Sequence, residues 1–525
     1  MTINFLPNDP LAANIIPLRE QTPKATRPAS RASVTLPPGP KDAKYTVGTA
    51  DFLFWQAREA VLTTLEMWEA IDGPVTKWAR SPSAKRLKLL VDDGEDLNAY
   101  YDGETLSFFH STTGGKTTFS GASTDVVAHE CGHALLDVIR PQLWDANFTE
   151  AGAFHEAFGD CVAILTALYD KDTRIKLLAG SPALTTPSFV EAIAEDLSDG
   201  IKRKLGPSHP SSAPRRALNK FKWALPSTLP SNGPPPMLTR EVHSFARVFV
   251  GCFYDLVCEV FAAQPAKKQE NVWAAAKIAG KLLIEGARNA PLSPRFFQAV
   301  GRTMVLADQQ SSSGANTAAV GRAFAKHGIV LGSSAMVAPR AALKGSGPKK
   351  KGLTMSLASA TVKDLVSRFA SSKGQRFDTN SLTLGGKAIA ETVFKRAVNL
   401  GDLNKQLAGV VAFGMDSVLV GESNKRAAMV SSAPERVTTE EEVRSFVESL
   451  LDTNNLRLGV TTKKAAAART AKSKKSKTLA AASVQKSGHM FSTHTVRAKG
   501  GKKVVERVRF ACGCHAGHAI KILDC

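Results

Sequence analysis

The sequence predicts an α+β protein in which a sheet region precedes a helical region, followed by a small mixed α/β region and a basic tail. Strand-like runs broken by Asp-Gly turns fill "RLKLLVDDGEDLNAYYDGETLSFFH", residues 86–110. Apolar residues at helical spacing follow from 123 to 169 and recur at 241–264, 270–288, 294–307 and 315–327. Sheet first and helices later is an order typical of the α+β class.

Composition divides the chain into six segments. The start is rich in Pro, Ser and Thr, "AALKGSGPKKKGL" reads as a linker, and "TTKKAAAARTAKSKKSKTLAAAS" reads as a basic low-complexity tether. The predicted segments are a flexible Pro-rich arm (1–46), the main domain (47–335), a linker (336–353), a small mixed domain (354–460), the tether (461–486) and a hairpin with a Cys/His cluster (487–525).

Individual elements follow from local pattern. "TADFLFWQAREAVLTTLEMWEAI" has helical periodicity, with Thr49 or Asp51 as candidate N-cap and Gly73 beyond its end. In the small domain, "ATVKDLVSRFASS" and "EEEVRSFVESLLD" predict helices. Gly500 and Gly501 predict the turn of the final hairpin.

The formal charge of +21 belongs almost entirely to the C-terminal third. Residues 340–525 contain 33 Lys and Arg against 14 Asp and Glu, a net charge of +19. Binding to nucleic acid or to an anionic surface is therefore an expectation for that region and not for the main domain.

The chain shows no run of about 18 apolar residues, which argues against a transmembrane segment. No secretory signal is visible at the N-terminus, and the seven cysteines are scattered rather than arranged as a disulfide framework. These features predict a cytoplasmic protein, or one exported by a route without a visible signal peptide.

The candidate chemistry begins at "DVVAHECGHALLDVIRPQL". Positions i and i+4 of a helix are about 40° apart around the axis, so His129 and His133 point to the same side. Two imidazoles in this arrangement can share one zinc ion, and Glu130 can reach a water molecule bound to it. Cys131 is expected to face away and pack.

A third ligand is predicted from "EAGAFHEAFGD". Glu156 and Asp160 also lie at i and i+4 on a helix. Glu156 is expected to complete the metal ligands, while Asp160 accepts the outer N–H of His129.

These motifs, in this order, resemble the thermolysin-like neutral zinc metallopeptidases over about residues 47–331. The resemblance implies two lobes, a mixed sheet lobe and a helical lobe, with the zinc helix between them. It implies His129, His133 and Glu156 as zinc ligands, Glu130 as general base and Asp160 as their supporting carboxylate. In "EVHSFARVFVGCFYDLV" it implies His243 as a donor to the developing oxyanion.

The same resemblance implies where a substrate binds. "LNAYYDG" is similar to the family's edge strand, where Asn98 and the Ala99 backbone would hold an extended peptide. Arg216 in "APRRALN" stands at the family's arginine that contacts the substrate carbonyl and a ligand carboxylate.

The chain departs from the family pattern at several positions. Asn147 stands where the family has a tyrosine that donates to the oxyanion, and losing such a donor costs about 3–4 kcal/mol of transition-state stabilisation. His155 replaces an asparagine before the ligand glutamate. Asp125 retains one carboxylate of a calcium pair, but Ala167 replaces its partner, which puts calcium in doubt. Glu241 must orient His243 because the family's aspartate is absent.

The predicted function is a zinc-dependent endopeptidase acting on peptides or proteins. The alternative is a zinc-bound scaffold of weak or no activity, whose basic C-terminal region binds nucleic acid, an anionic surface or a protein partner. The tail could hold a second metal or be a chance cluster, and its candidate ligands are Cys512, Cys514, His515, His518 and Cys525.

Overall fold

The structure, a computed structural model, describes residues 1–332, 377–384, 387–423, 426–429, 436–461 and 492–511. It has mixed α+β architecture, which confirms the predicted class at this level. The α-helices in the described residues are α1 Ala50–Ile71, α2 Thr124–Ile139, α3 Thr149–Tyr169, α4 Lys171–Gly180, α5 Glu195–Leu205, α6 Val242–Ala262, α7 Gln269–Asn289, α8 Phe296–Ser311, α9 Thr317–Lys326 and α10 Arg436–Asp452.

The strands are short in the first half of the chain and longer towards its end. They are β1 Ile3–Phe5, β2 Arg19–Gln21, β3 Ser33–Thr35, β4 Arg86–Leu90, β5 Ala99–Tyr101, β6 Thr105–Phe108, β7 His110–Thr113, β8 Lys116–Phe119, β9 Ala192–Ile193, β10 Arg215–Arg216, β11 Phe377–Leu384, β12 Lys387–Asn399, β13 Val410–Ser423, β14 Arg426–Met429, β15 Leu456–Thr461, β16 His494–Lys499, β17 Lys502–Arg507 and β18 Phe510–Ala511.

A five-stranded sheet lies beside the candidate metal helix, with strand order β18-β5-β6-β4-β3. The Asp-Gly turn between β5 and β6 forms as the sequence predicts: Gly103 has φ 93°, and Asp102 Oδ1 accepts the Thr105 N–H at 2.7 Å. The Tyr101 hydroxyl donates to Asp137 Oδ2 on α2 at 3.0 Å, which ties the sheet to that helix.

Residues 1–46 are not the flexible arm that their composition predicts. β1 pairs with β2, β3 pairs with β4, and Ile3 and Phe5 are buried. The Gln56 side chain on α1 bonds both the N–H and the C=O of Leu6, at 2.9 and 3.0 Å. The prediction is wrong because a few well-spaced apolar residues anchor the segment to α1, whereas the Pro and Ser content describes only the chain between them.

The helical region packs around α3. Its most apolar stretch is long and hydrophobic enough to cross a membrane, but it is completely buried within the protein. It contacts α2 on one side and α6 on the other, and its aromatic residues Phe154 and Phe158 have no exposed surface. Helix α3 is therefore the central core helix, and it carries two of the predicted site residues.

The C-terminal segments do not follow the predicted domain boundaries. One sheet has the order β11-β12-β13-β17-β16-β15, with β14 on β13, and α10 packs against β13. The predicted hairpin β16–β17 turns at Gly500 and Gly501 and lies inside this sheet, between β13 and β15. Segments predicted as separate units thus share one sheet, because β15 and β17 pair in parallel with strands that are distant in sequence.

This sheet is joined to the helical region by a buried ion pair. Arg140, after α2, donates to Glu391 Oε2 on β12 at 2.7 Å and to the Ala290 carbonyl at 2.8 Å. Both side chains are almost inaccessible, at 1% and 0% exposure. The helix predicted over 360–372 and the Cys512, Cys514, His515, His518 and Cys525 cluster lie outside the described residues.

Candidate metal centre

Helix α2 presents His129 and His133 on one buried face. The helix begins after Ser123, with Asp125 in its first turn, where a carboxylate offsets the positive end of the helix dipole. The two imidazole centroids are 4.7 Å apart, and neither side chain is exposed. The predicted i, i+4 geometry is thus present, with both rings directed into the interior.

Helix α3 brings Glu156 to these imidazoles. Glu156 Oε2 lies 3.3 Å from His129 Nε2 and 3.7 Å from His133 Nε2. The close approach of α2 and α3 requires glycine on both: a Cβ on Gly132 would lie 2.9 Å from the Gly159 Cα. This crossing places the carboxylate between the two rings.

Asp160 fixes the orientation of His129. Its Oδ1 lies 2.8 Å from His129 Nδ1, so the other ring nitrogen, Nε2, is left facing Glu156. Burial would raise the pKa of Asp160, but the Arg215 guanidinium and the His129 ring lower it to about 2. Asp160 is therefore ionised and acts as an acceptor.

The group can hold a metal ion. Ligand-type atoms of His129, Glu130 and His133 lie within 4.8 Å of one another, and all three residues are buried. Among the described residues, neither ring nitrogen of His133 has a hydrogen-bond partner. A wholly buried imidazole without a hydrogen bond is costly unless its lone pair has another partner, and a metal ion satisfies this requirement.

Protonation states at the centre suit a cation. Burial lowers the pKa of His133 to about 3, which keeps its ring neutral. Burial alone would raise the pKa of Glu156, but the rings of His243 and His133 hold it well below its ordinary value. Metal ligation needs neutral imidazole and ionised carboxylate, and both are provided here. Burial also raises the pKa of Cys131 to about 12, consistent with an inert packed thiol.

His243 reaches the same centre from the start of α6. Its Nε2 lies 3.2 Å from Glu156 Oε2, and its Nδ1 lies 2.7 Å from Glu241 Oε1. Burial works against a charged ring, but Glu156 and Glu241 together raise the pKa of His243 well above its ordinary value. The ring can therefore donate from both nitrogens. Glu241 lies at the nitrogen where it can orient the ring, as expected from the sequence.

Arg215, not Arg216, lies beside the centre. The Arg215 Nη2 donates to Asp160 Oδ1 at 2.7 Å, whereas Arg216 pairs with Glu191 at 2.5 Å and is 42% exposed. The assignment of Arg216 to a ligand carboxylate is therefore wrong. Neighbouring residues of a strand point to opposite faces, so on β10 only one of the two arginines can face inwards.

The predicted edge strand is paired on both sides. Asn98 is fully buried and its Oδ1 accepts the Ala99 N–H at 2.9 Å. Strand β5 pairs with β6 on one side and with β18 on the other, in the register Phe510 to Tyr101 and Ala511 to Tyr100. The position expected for a substrate strand is thus taken by a segment of the same chain.

Two positions that depart from the family pattern have different outcomes. The Asn147 amide donates to the carbonyls of Asp145 and Phe413, at 3.2 and 3.1 Å, so the group that would replace the family's tyrosine as an oxyanion donor is engaged with the backbone. His155 is buried beside the metal centre, with its centroid 5.6 Å from that of His133. The sequence marks His155 only as a departure from the family pattern, and it gives no signal that Phe510 stacks on this ring, because tertiary packing brings the two together.

Neither a scan of protein-family models nor a search of curated proteins finds a match to this chain. Of the family resemblance, the structure supports a His-Glu-x-x-His cluster in a helix.

Proposed function

We propose that the chain is a zinc-dependent endopeptidase similar in mechanism to the thermolysin-like enzymes. The observation that carries the proposal is the convergence of His129, His133 and Glu156 beside Glu130 in one buried centre. Two imidazoles and one carboxylate are a donor set that zinc uses in hydrolytic sites, where a fourth position stays open for water.

His129, His133 and Glu156 would hold the ion, which when bound supplies Lewis acidity to a water molecule and to the substrate carbonyl. Glu130 would take a proton from the attacking water and deliver it to the leaving amine. His243, oriented by Glu241, would donate from Nε2 to the oxygen that gains negative charge. Asp160 and Arg215 would keep the His129 ring in place.

Zinc content and peptide cleavage together test this function. The full chain and Glu130→Gln should each retain zinc, because Glu130 is not needed as a ligand, while Glu156→Ala should lose the ion. Only the chain with Glu130 should cleave casein-derived peptides. Equal cleavage by Glu130→Gln would contradict the proposal. So would a zinc-loaded chain that cleaves nothing even when Phe510, which stacks on His133, is replaced by alanine. A second zinc per chain would implicate the Cys512 to Cys525 cluster.

The second candidate is a zinc-bound scaffold of weak or no activity with a basic C-terminal binding region. Asn147 favours it, since its amide is directed to two backbone carbonyls and not to the centre. In that case zinc binding would persist without cleavage, and binding of an anionic polymer such as DNA would fall steeply with salt.

A further inference from the structure

Strand β18 extends the five-stranded sheet at the edge beside the metal centre. Phe510 and Ala511 run antiparallel to Tyr101 and Tyr100, and without them β5 would be the edge strand. An exposed sheet edge binds extended peptides by adding one strand. The geometry of β18 is thus that of a bound peptide, although it belongs to the protein itself.

The backbone of β18 reaches the metal centre through Ala511. His243 Nε2 donates to the Ala511 carbonyl oxygen at 2.8 Å, and the same nitrogen lies 3.2 Å from Glu156 Oε2. This carbonyl is therefore bound by the donor expected to stabilise a developing oxyanion. In the same antiparallel register, Ala99 and Asn98 lie beyond Ala511 along the edge.

The side chain of β18 fills an aromatic pocket. Phe510 is 1% exposed and stacks on His155 and His133, with centroid distances of 3.8 and 4.8 Å. Trp144 packs edge-on against the same ring at 5.4 Å, and the Arg507 guanidinium lies 4.1 Å from its centroid. His155 is not one of the proposed metal ligands, and its stacking with Phe510 gives it a place in this pocket.

The hairpin β16–β17 delivers the strand to this position. Trp144 Nε1 donates to the Arg507 carbonyl at 3.3 Å, and the Val508 N–H donates to the Thr493 carbonyl at 2.8 Å. Because the hairpin belongs to the C-terminal sheet, β18 is tethered to that sheet as well as paired with β5.

We propose that β18 is a built-in peptide ligand of the groove along β5, and that it closes the metal centre to other peptides. The groove binds an extended peptide that carries an aromatic residue directly before the residue whose carbonyl meets His243. Closure as a control on hydrolysis rests on the proposed peptidase function, whereas the binding of such a peptide does not.

Binding to a variant that cannot hydrolyse separates the two. The zinc-loaded full chain with Glu130→Gln is titrated against a fluorescent peptide of the sequence Arg-Val-Arg-Phe-Ala, capped at both ends, and anisotropy is measured. A tethered ligand competes at an effective concentration in the millimolar range, so adding Phe510→Ala should tighten binding at least about tenfold. The exposed hairpin variant Lys502→Ala is the matched control and should leave the affinity unchanged.

Folding and ligand class are checked in the same series. Should Phe510→Ala fail to retain zinc, Phe510→Leu keeps an apolar side chain without the ring and should show a smaller gain. Replacing Phe by Ala in the peptide should weaken its binding to the open variant. Equal affinity of a folded, zinc-loaded open variant and its parent would overturn closure, and indifference to the peptide's Phe would overturn the ligand class.

The outcome is distinguishable from failure of the peptidase proposal. With Glu130 present, Phe510→Ala should raise kcat/KM for external peptides by lowering KM, by the same factor that binding shows. A tenfold gain in binding without hydrolysis would support the groove and reject the enzyme. Hydrolysis with no gain in binding or in kcat/KM would support the enzyme and reject closure.

Discussion

Asp160 is the residue that sets which nitrogen of His129 faces the centre. It lies 2.8 Å from His129 Nδ1 and is held ionised by Arg215. Asp160→Asn removes that charge and permits a different ring tautomer, so we expect zinc affinity to fall about 10- to 100-fold. Competition with a chelator of known affinity measures this loss. Asp172→Asn, at a 64% exposed carboxylate, is the control; loss in both variants alike would contradict the specific role.

The buried carboxyl group of Glu150, which is not a proposed metal ligand, is expected to make the stability of the protein depend on pH. Burial raises its pKa to about 7, although the Phe297 N–H, Trp223 and Arg295 favour the charged form and Glu442 disfavours it. A carboxyl with a raised folded-state pKa binds more protons folded than unfolded, so stability falls as pH rises from about 4.5 to 7. The loss is on the order of 3 kcal/mol.

Thermal unfolding from pH 4.5 to 7.5 tests this prediction. Glu150→Gln retains the shape of the side chain and its acceptor oxygen, so its melting temperature should decline less over this range than that of the parent. Parallel curves for the two proteins would show that Glu150 is not the group responsible.

At the residue scale, sequence pattern predicts groups that share one helix. His129 and His133, like Glu156 and Asp160, are placed by helical spacing, which is a local property. The choice between Arg215 and Arg216 is not local, because the facing direction of the two-residue strand β10 depends on its pairing with β9. The sequence could name the arginine pair but not the member that reaches Asp160.

At the scale of the elements, the close crossing of α2 and α3 predicts that one added methyl group at Gly159 will disturb the metal centre. A Cβ on Gly159 would lie 2.7 Å from His129 Nδ1, closer than real contacts allow. Gly159→Ala must therefore move the His129 ring or separate the helices, and we expect zinc affinity to fall at least tenfold and stability to fall by about 1–3 kcal/mol.

Gly321→Ala on α9 is the matched control for this change. A Cβ there meets no atom within 4 Å, so the variant should bind zinc normally and gain up to about 1 kcal/mol from helix propensity. Zinc titration and urea unfolding of both variants provide the comparison. Normal zinc affinity in Gly159→Ala would show that the helix crossing tolerates a larger separation.

Helices with strong periodicity were predictable as elements, and the segments with weak periodicity were not. Helix α1 begins with Thr49 as N-cap, whose hydroxyl accepts the Phe52 N–H at 3.3 Å, and α10 covers the predicted "EEEVRSFVESLLD". The N-terminal segment has only three-residue strands: β1 and β2 pair with each other, and β3 pairs with β4, which lies outside the segment. Such strands carry too few residues for a period to be recognised.

At the scale of the whole molecule, the packing of the C-terminal sheet against the helical region could not be predicted from the sequence. The basic composition after residue 340 separates that part of the chain from the rest by charge, but composition carries no information on what it packs against. The chain leaves the C-terminal sheet after β17, and β18 joins the sheet beside the metal centre through a contact of only two residues. The groove and its occupant therefore emerge only when both regions are considered together.

The buried pair of Arg140 and Glu391 predicts how strongly the two regions depend on each other. Removing one partner leaves a buried charge without compensation, which costs about 3–5 kcal/mol, whereas replacing both by apolar side chains of similar size is often tolerated. Glu391→Ala should therefore lower the urea midpoint markedly, and Arg140→Met with Glu391→Leu should restore much of it. The exposed pair of Arg322 and Glu259 supplies the control, since Glu259→Ala should cost at most about 1 kcal/mol.

The same variant tests what holds β18 in place. Strand β12 pairs with β13 and β13 with β17, and the chain passes from β17 into β18. Glu391→Ala should therefore also speed amide exchange at Phe510 and Ala511. Unchanged exchange there would mean that β18 is held by the groove itself and not by the sheet that delivers it.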